Sequence, residues 1–346
     1  MAEETVTRGA SFDLPNLDFL RSIAVLLVLT DHLTRHYHID RFNSFGFFGV
    51  LLFFVHTALV LTYSMQRSRL TGVALFKDFY IRRFFRIYPL SILAVLSAVA
   101  LHLHADGRGL SFGPRPGPVE LFSNLSLVQN LTGSASVIGP LWSLPFEVQM
   151  YLVLPFLFIW RRRSAVSLLA LWFILGALGH FPEAYSSLRW LSLLIYAPNF
   201  LPGVLAATLP ERKTFPAYLW PLFVLGLVAL FFWKPSRLMG GLLCLLLGSA
   251  IPRFREISFR PLTWMSHRIA TYSYGIYLGH SFFIWFALTR HNSWTLFWLM
   301  WIFIPALVYH ALEYPMIKFG RKVAERASKQ ARRSVFLAKL GPEAQT

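Results

Sequence analysis

The chain has 346 residues, of which 55% are hydrophobic, 16% aromatic and only 14% charged. A soluble domain carries roughly 25% charged residues, so that class is excluded, and a single cysteine, Cys244, excludes a disulfide scaffold. What remains is an integral membrane protein, with a net charge of +17 from 33 Lys and Arg against 16 Asp and Glu.

The start, Met1 to Pro15, is acidic and polar and has no basic stretch before an apolar core, so no cleavable signal peptide is expected. Ten apolar stretches follow, at 17–34, 45–64, 87–105, 138–160, 164–181, 189–209, 216–233, 238–252, 269–289 and 294–316. Each is at or near the roughly 20 residues that a span needs. The first carries Arg21 and His32, eleven residues apart. Eleven helical steps overshoot three full turns by about 20°, so the two share one face, separated by roughly 16 Å along the axis. Such a polar face implies a cavity; the alternative is that Arg21 snorkels inward and His32 caps an outer loop. Asp31 points about 100° away from His32 and is a poor group to orient its imidazole.

The inner loop before the third stretch reads Arg82-Arg83-Phe84-Phe85-Arg86-Ile87-Tyr88-Pro89. Guanidinium forks at a helix start suit the phosphates of a cytosolic donor; a plain topology anchor is the other reading. In the fourth stretch Ser143, Glu147 and Tyr151 recur every four residues and share a face. Glu147 in an apolar run needs a partner, and Arg21 is the candidate. The sixth holds Pro198 and Pro202 around Asn199, which predicts a broken or kinked helix beside a cavity. The eighth is short enough to be re-entrant. In the ninth, Ser273, Tyr277 and His280 form one polar stripe. At the end of the tenth, Glu313 is placed to pair with an arginine of the inner loop. Taken singly, these polar groups also fit as packing contacts between helices.

Placing the N-terminus in the cytoplasm sorts 24 Lys and Arg to inner segments and 8 to outer ones, with Arg21 inside the first helix. This inside bias favours both termini in the cytoplasm and needs no nucleic-acid partner. The basic tail after Pro315 is open to two readings, an amphipathic helix on the anionic inner leaflet or a solvated helix. His36 and His38, or His102 and His104, lack ligand spacing for a metal. Neither a Gly-x-Ser-x-Gly elbow nor a Walker-type loop occurs. The fold expected is all-α, a polytopic transmembrane bundle of about ten helices.

Five motifs, in order, resemble the membrane-bound acyltransferase family 3: LDFLRSIAVLLVLTDH from Leu17, GVLLFFV from Gly49 to Val55, RRFFRIYP from Arg82, LWSLPFEVQMYLVLP from Leu141, and SYGIYLGH from Ser273 to His280. The resemblance implies a cytoplasmic segment 1–16, a membrane domain 17–316 and a basic cytoplasmic tail 317–346, with no appended soluble domain. It implies an integral-membrane O-acyltransferase of a bacterial inner membrane. A short acyl group, by family likeness acetyl, would pass from cytosolic acyl-coenzyme A to a hydroxyl of a carbohydrate or glycolipid, with no permanently bound cofactor. The family's arginine and histidine map onto Arg21 and His32, its arginine pair onto Arg83 and Arg86, and its glutamate onto Glu147. His32 is then the expected base, Arg21 and Glu147 complete the catalytic group, and Arg82, Arg83 and Arg86 bind the donor. Ser143, Tyr277, His280 and Glu313 support them. One departure stands out: after FFV the family has an aliphatic residue, Ser and Gly, whereas His56, Thr57 and Ala58 occur here. Loss of that glycine is expected to alter helix packing. The alternative function class is a transporter or flippase for a lipid-linked sugar, which would also have a broken span and buried charges.

Overall fold

In a bilayer every backbone N–H and C=O must be satisfied within its own segment, so the apolar stretches fold as helices. The computed structural model describes residues 14–39, 44–68, 70–103, 112–161, 164–178 and 189–340. In chain order these form α1 (Pro15–His36), α2 (Phe45–Arg67), α3 (Gly72–Ala100), the short α4 (Pro118–Leu125) and α5 (Gln129–Thr132), and α6 (Leu144–Trp160) after a 3-10 turn at Gly139–Ser143. Then come α7 (Ala165–Leu178), α8 (Leu193–Ala206), α9 (Leu219–Trp233) and α10 (Arg237–Ala250). The last part holds α11 (Arg260–Phe283), which widens into a π-helix at Ile284–Arg290, then α12 (Trp294–Val308), a second π-helix at Tyr309–Glu313, and α13 (Tyr314–Leu340). Among the described residues the only strand-like pairings are two isolated bridges.

Among the described residues, four helical segments are long and apolar enough to cross a membrane: Phe45–Arg67, Gly72–Ala100, Gly139–Trp160 and Trp294–Ala331. The other predicted stretches are helical too, but α7 to α10 have only 14 or 15 residues each. At 1.5 Å per residue, α10 is roughly 21 Å long, against a hydrocarbon core of about 30 Å. α1 and α11 are long, but they carry polar side chains that face other helices. Arg8, Arg41, Arg69, Arg108, Arg162, Arg163, His104 and the end of the fifth stretch lie outside the described residues.

α2 is the centre. In its most apolar window 72% of residues are buried, against 11% in the segment from Trp294, so the latter presents its apolar surface outward to lipid. α1, α8 and α10 pack around α2. With lipid as solvent, close backbone approach does what hydrophobic exclusion does in water. A Cβ on Gly49 would lie 2.5 Å from the Ala24 carbonyl oxygen, and one on Gly203 would lie 2.2 Å from that of Val55. Gly203 of α8 thus supplies the close crossing that the missing glycine at Ala58 was expected to spoil. The foot of α1 is tied across the chain by Asn16. Its amide donates to the Arg255 carbonyl and accepts from the Ile257 N–H, both at 3.0 Å, while its own carbonyl receives the Trp220 indole.

The structure corrects one expectation and sharpens two others. The third helix begins at Gly72, not near residue 87, so Arg82, Arg83 and Arg86 stand on a helix and not in a loop. Charge does not end this helix because Asp78 and Glu313 neutralise two of the arginines. The sixth stretch runs as a helix through both prolines. Pro202 has no N–H to give the Pro198 carbonyl, and the Trp172 indole donates to that oxygen instead, at 2.8 Å. The tail lies along α3 as a continuation of the last helix, with no break at Pro315. Small residues make the docking face: Gly320 rests on Phe85, and Ala324, Ser328 and Ala331 are buried.

Candidate active site

α1, α2, α3, α6 and α11 surround a polar track. Two adjoining cavities, of about 60 and 80 Å³, share Arg21, Thr57, Glu147 and Tyr274 as walls. Both exceed the roughly 10–15 Å³ that admits a water. A smaller third cavity, of about 20 Å³, shares Leu61 and Arg83 with the second and reaches Ser68, Asp78 and Arg82 at the ends of α2 and α3. The track therefore leads from the arginine end of the molecule to Ser143 and Tyr277.

Cations dominate its lining. Arg86 Nη1 donates to Glu313 Oε2 at 2.5 Å, and its guanidinium lies 5.6 Å from the Tyr274 ring. The π-turn at Tyr309–Glu313 offers this carboxylate to α3, and such turns recur at functional sites. Arg82 is bound to Asp78 at 2.8 Å. Arg83 and Arg21, by contrast, form no ion pair or hydrogen bond among the described residues, and the Arg21 Nε is buried without a partner. The expected Arg21–Glu147 pair is not formed. Glu147 instead accepts the hydroxyl of Tyr151, four residues on, because the stripe that puts both on one helix face puts that donor next to it. Arg21 and Glu147 still face one cavity, where two unpaired guanidiniums leave donors for an anion.

At the other end, Ser143 and the Tyr277 hydroxyl lie 2.7 Å apart, and Tyr277 donates to the Pro140 carbonyl at 2.8 Å. A tyrosine has one proton, so Ser143 is the donor to Tyr277. This bridge locks the 3-10 turn before α6 onto α11. One turn beyond, His280 meets His32 edge to face, with ring centroids 4.6 Å apart. His32 Nδ1 donates to the Val28 carbonyl at 2.9 Å, and His280 Nδ1 faces that of Ile276 at 3.3 Å. A ring nitrogen facing a carbonyl carries the proton, which leaves Nε2 of each as the basic atom. The Nε2 of His280 is buried without a partner. Asp31 does not orient His32, as expected: its nearest oxygen is 3.9 Å away and bonds Arg35 at 3.0 Å.

The structure thus brings Arg21, Arg83, Arg86, Glu147, Ser143 and Tyr277 to one track and sets His32 with His280 just past its end. Arg82 stands at the arginine mouth, and Glu313 acts through Arg86. The sequence reading missed two residues. Tyr274 walls both cavities and donates to the Ile87 carbonyl at 2.8 Å; it belongs to the SYGIYLGH motif but lies off the Ser273–Tyr277 stripe. His56 is buried beside Arg21 on the second cavity, and its only signal was the departure from the family pattern.

A family model described as an acyltransferase domain matches residues 14–309. The chain belongs to acyltransferase family 3. Every group on the track except Glu313 lies inside the matched acyltransferase domain. A protein of Bacillus subtilis named as a putative peptidoglycan O-acetyltransferase is 28% identical over 77% of this chain and 48% of its own length. A peptidoglycan O-acetyltransferase of Listeria monocytogenes is 27% identical over 79% of this chain and 50% of its own. The chain spans about half the length of the curated relatives it matches. No solved structure matches the chain.

Proposed function

We propose that this acyltransferase is an integral-membrane O-acetyltransferase that moves acetyl from cytosolic acyl-coenzyme A to a hydroxyl of a carbohydrate or glycolipid. The observation that carries this is the polar track: it begins at three arginines, holds two unpaired guanidiniums, and ends one helical turn short of a histidine pair. Both relatives are named for peptidoglycan, which makes a cell-wall glycan the first acceptor to test. The location that follows is a bacterial inner membrane, with both termini and the arginine mouth in the cytoplasm.

Arg83 and the Arg86 donors not taken by Glu313 hold the donor's phosphates, with Arg82 at the mouth. The acyl arm follows the track past Arg21, which stabilises negative charge on the thioester oxygen. Nε2 of His32 takes the acceptor's hydroxyl proton as that oxygen attacks the carbonyl carbon. The carbon–sulfur bond then breaks, and the imidazolium returns its proton to the departing thiolate. The products are an ester and free coenzyme A. Glu147, held by Tyr151, balances the cationic wall, and the Ser143–Tyr277 bridge keeps α6 and α11 in register around the reacting end.

The test is incubation of membranes containing the protein with labelled acetyl-coenzyme A. Label on a glycan or lipid with the wild type, and none with His32→Ala, supports the proposal. Movement of a lipid-linked sugar without label would replace it with the transporter reading.

A further inference from the structure

The largest of the cavities described lies apart from the track. It has a volume of about 240 Å³ and is lined by residues of α2, α7, α8 and α10, among them Leu51, Trp172, Tyr196 and Gly241. It sits where α2 and α8 begin and α7 ends, opposite to the arginine mouth. Tyr196 of its lining packs on Phe146 and Trp142, with ring centroids 4.5 and 5.8 Å away. Its lining includes Phe173, Leu238 and Leu242, which are 65%, 53% and 44% exposed. Apolar side chains exposed on a membrane helix face lipid, so this slot opens sideways into hydrocarbon.

An apolar slot open to bilayer fills with hydrocarbon, because an empty one forfeits dispersion contacts along its whole lining. Its mouth adds a charge. Arg237, the first residue of α10, lines the cavity and forms no ion pair among the described residues. Lys234 stands three residues before it, also without an ion pair. A basic residue beside an apolar slot at the membrane surface matches a lipid that has a chain at one end and an anionic phosphate at the other.

We propose that this cavity binds one hydrocarbon chain of a membrane phospholipid whose anionic headgroup is held by Arg237. The site shares no lining residue with the catalytic track, and α2 is the element between them, giving Phe47 and Leu51 to the slot and Val50, Phe53 and Phe54 to the track. A bound chain would buttress α7, whose 14 residues are short for a span and whose Trp172 indole is bonded to α8.

The full chain, purified into nanodiscs of phosphatidylcholine with one-fifth phosphatidylglycerol, tests this. The probe is a phosphatidylglycerol with a diazirine on its acyl chain, photolysed and mapped by peptide mass spectrometry. Labelling is expected on the α7 and α10 peptides that carry Phe173 and Leu242, and excess unlabelled phosphatidylglycerol should displace it. Inorganic phosphate should not displace it. Arg237→Gln should lower labelling about fivefold, the worth of one cation near a membrane surface. Gly241→Leu should fill the slot and abolish labelling. A Cβ at that position meets nothing closer than Trp172 at 3.7 Å, so the chain accepts it, and unchanged acetyl transfer would confirm that the variant is folded. Absence of label from α7 and α10 in the wild type would overturn the site. Equal labelling by a phosphatidylcholine probe, unaffected by Arg237→Gln, would overturn the anionic headgroup.

Discussion

Replacing Glu313 with glutamine removes one charge from a buried pair and leaves its partner behind. The Glu313 side chain is 1% exposed and that of Arg86 18%, with 2.5 Å between the bonded atoms. At an effective dielectric of about 20, two unit charges 4 Å apart attract by about 4 kcal/mol. Removing one partner of such a buried pair costs about 3–5 kcal/mol, because the remaining charge stays desolvated. Arg86 also faces Arg21 and Arg83 across the same track, and their repulsion adds to the loss once the carboxylate is gone. At about 2 °C per kcal/mol for a chain of this size, Glu313→Gln should lower the melting temperature in detergent by roughly 6–10 °C. The Arg86→Met/Glu313→Gln double variant should recover most of that loss, since both charges are then gone. Arg82→Gln is the comparison: its pair with Asp78 is partly exposed, at 30% and 12%, and an i,i+4 pair of that kind is worth about 0.3–0.5 kcal/mol. If Glu313→Gln cost no more than Arg82→Gln, or if the double variant were as unstable as the sum of its parts, the pair would not be the clamp described.

Four further outcomes are expected. His32→Ala should lower acetyl transfer at least 100-fold, the contribution of a positioned base, with membrane abundance unchanged on immunoblot; retained activity would remove His32 from the mechanism. Arg83→Ala should raise the KM for acetyl-coenzyme A roughly 10- to 100-fold, the worth of charge-assisted hydrogen bonds, and an unchanged KM would return Arg83 to a topology anchor. Tyr277→Phe leaves the Pro140 carbonyl and the Ser143 hydroxyl without their partner and should cost about 1–3 kcal/mol in thermal unfolding. Gly203→Val drives a side chain into the Val55 carbonyl and should reduce the folded yield by fluorescence-detected size exclusion. Normal yield would mean that α2 and α8 can separate freely.

What the sequence made legible was whatever repeats along one helix. The shared face of Arg21 and His32, the Ser143–Glu147–Tyr151 stripe and the Ser273–Tyr277–His280 stripe all follow from 3.6 residues per turn, and all line or adjoin the site. Partners were harder. Arg86 and Glu313 are 227 residues apart, and charge alone made Glu313 a candidate for any inner arginine. The Arg21–Glu147 pair was inferred from need, but Tyr151 on the same stripe met that need locally. The early start of α3 was hidden because unpaired arginines look like a loop, and only the fold shows that two of them are neutralised. Tyr274 and His56 escaped because neither sits on a polar stripe. The tail's docking on α3 depends on small residues every three or four positions, a pattern that hydropathy passes over.

The unpaired guanidinium of Arg83 also bears on how a turnover ends. Coenzyme A carries the same phosphates before and after it gives up its acetyl group. Under the proposed function, a wall that binds the donor by its phosphates would not distinguish a loaded donor from a spent one. Free coenzyme A should compete with acetyl-coenzyme A for the track, and its departure should become a slow step as the spent carrier accumulates. The rate in the cell would then follow the ratio of the two forms and not the amount of donor alone.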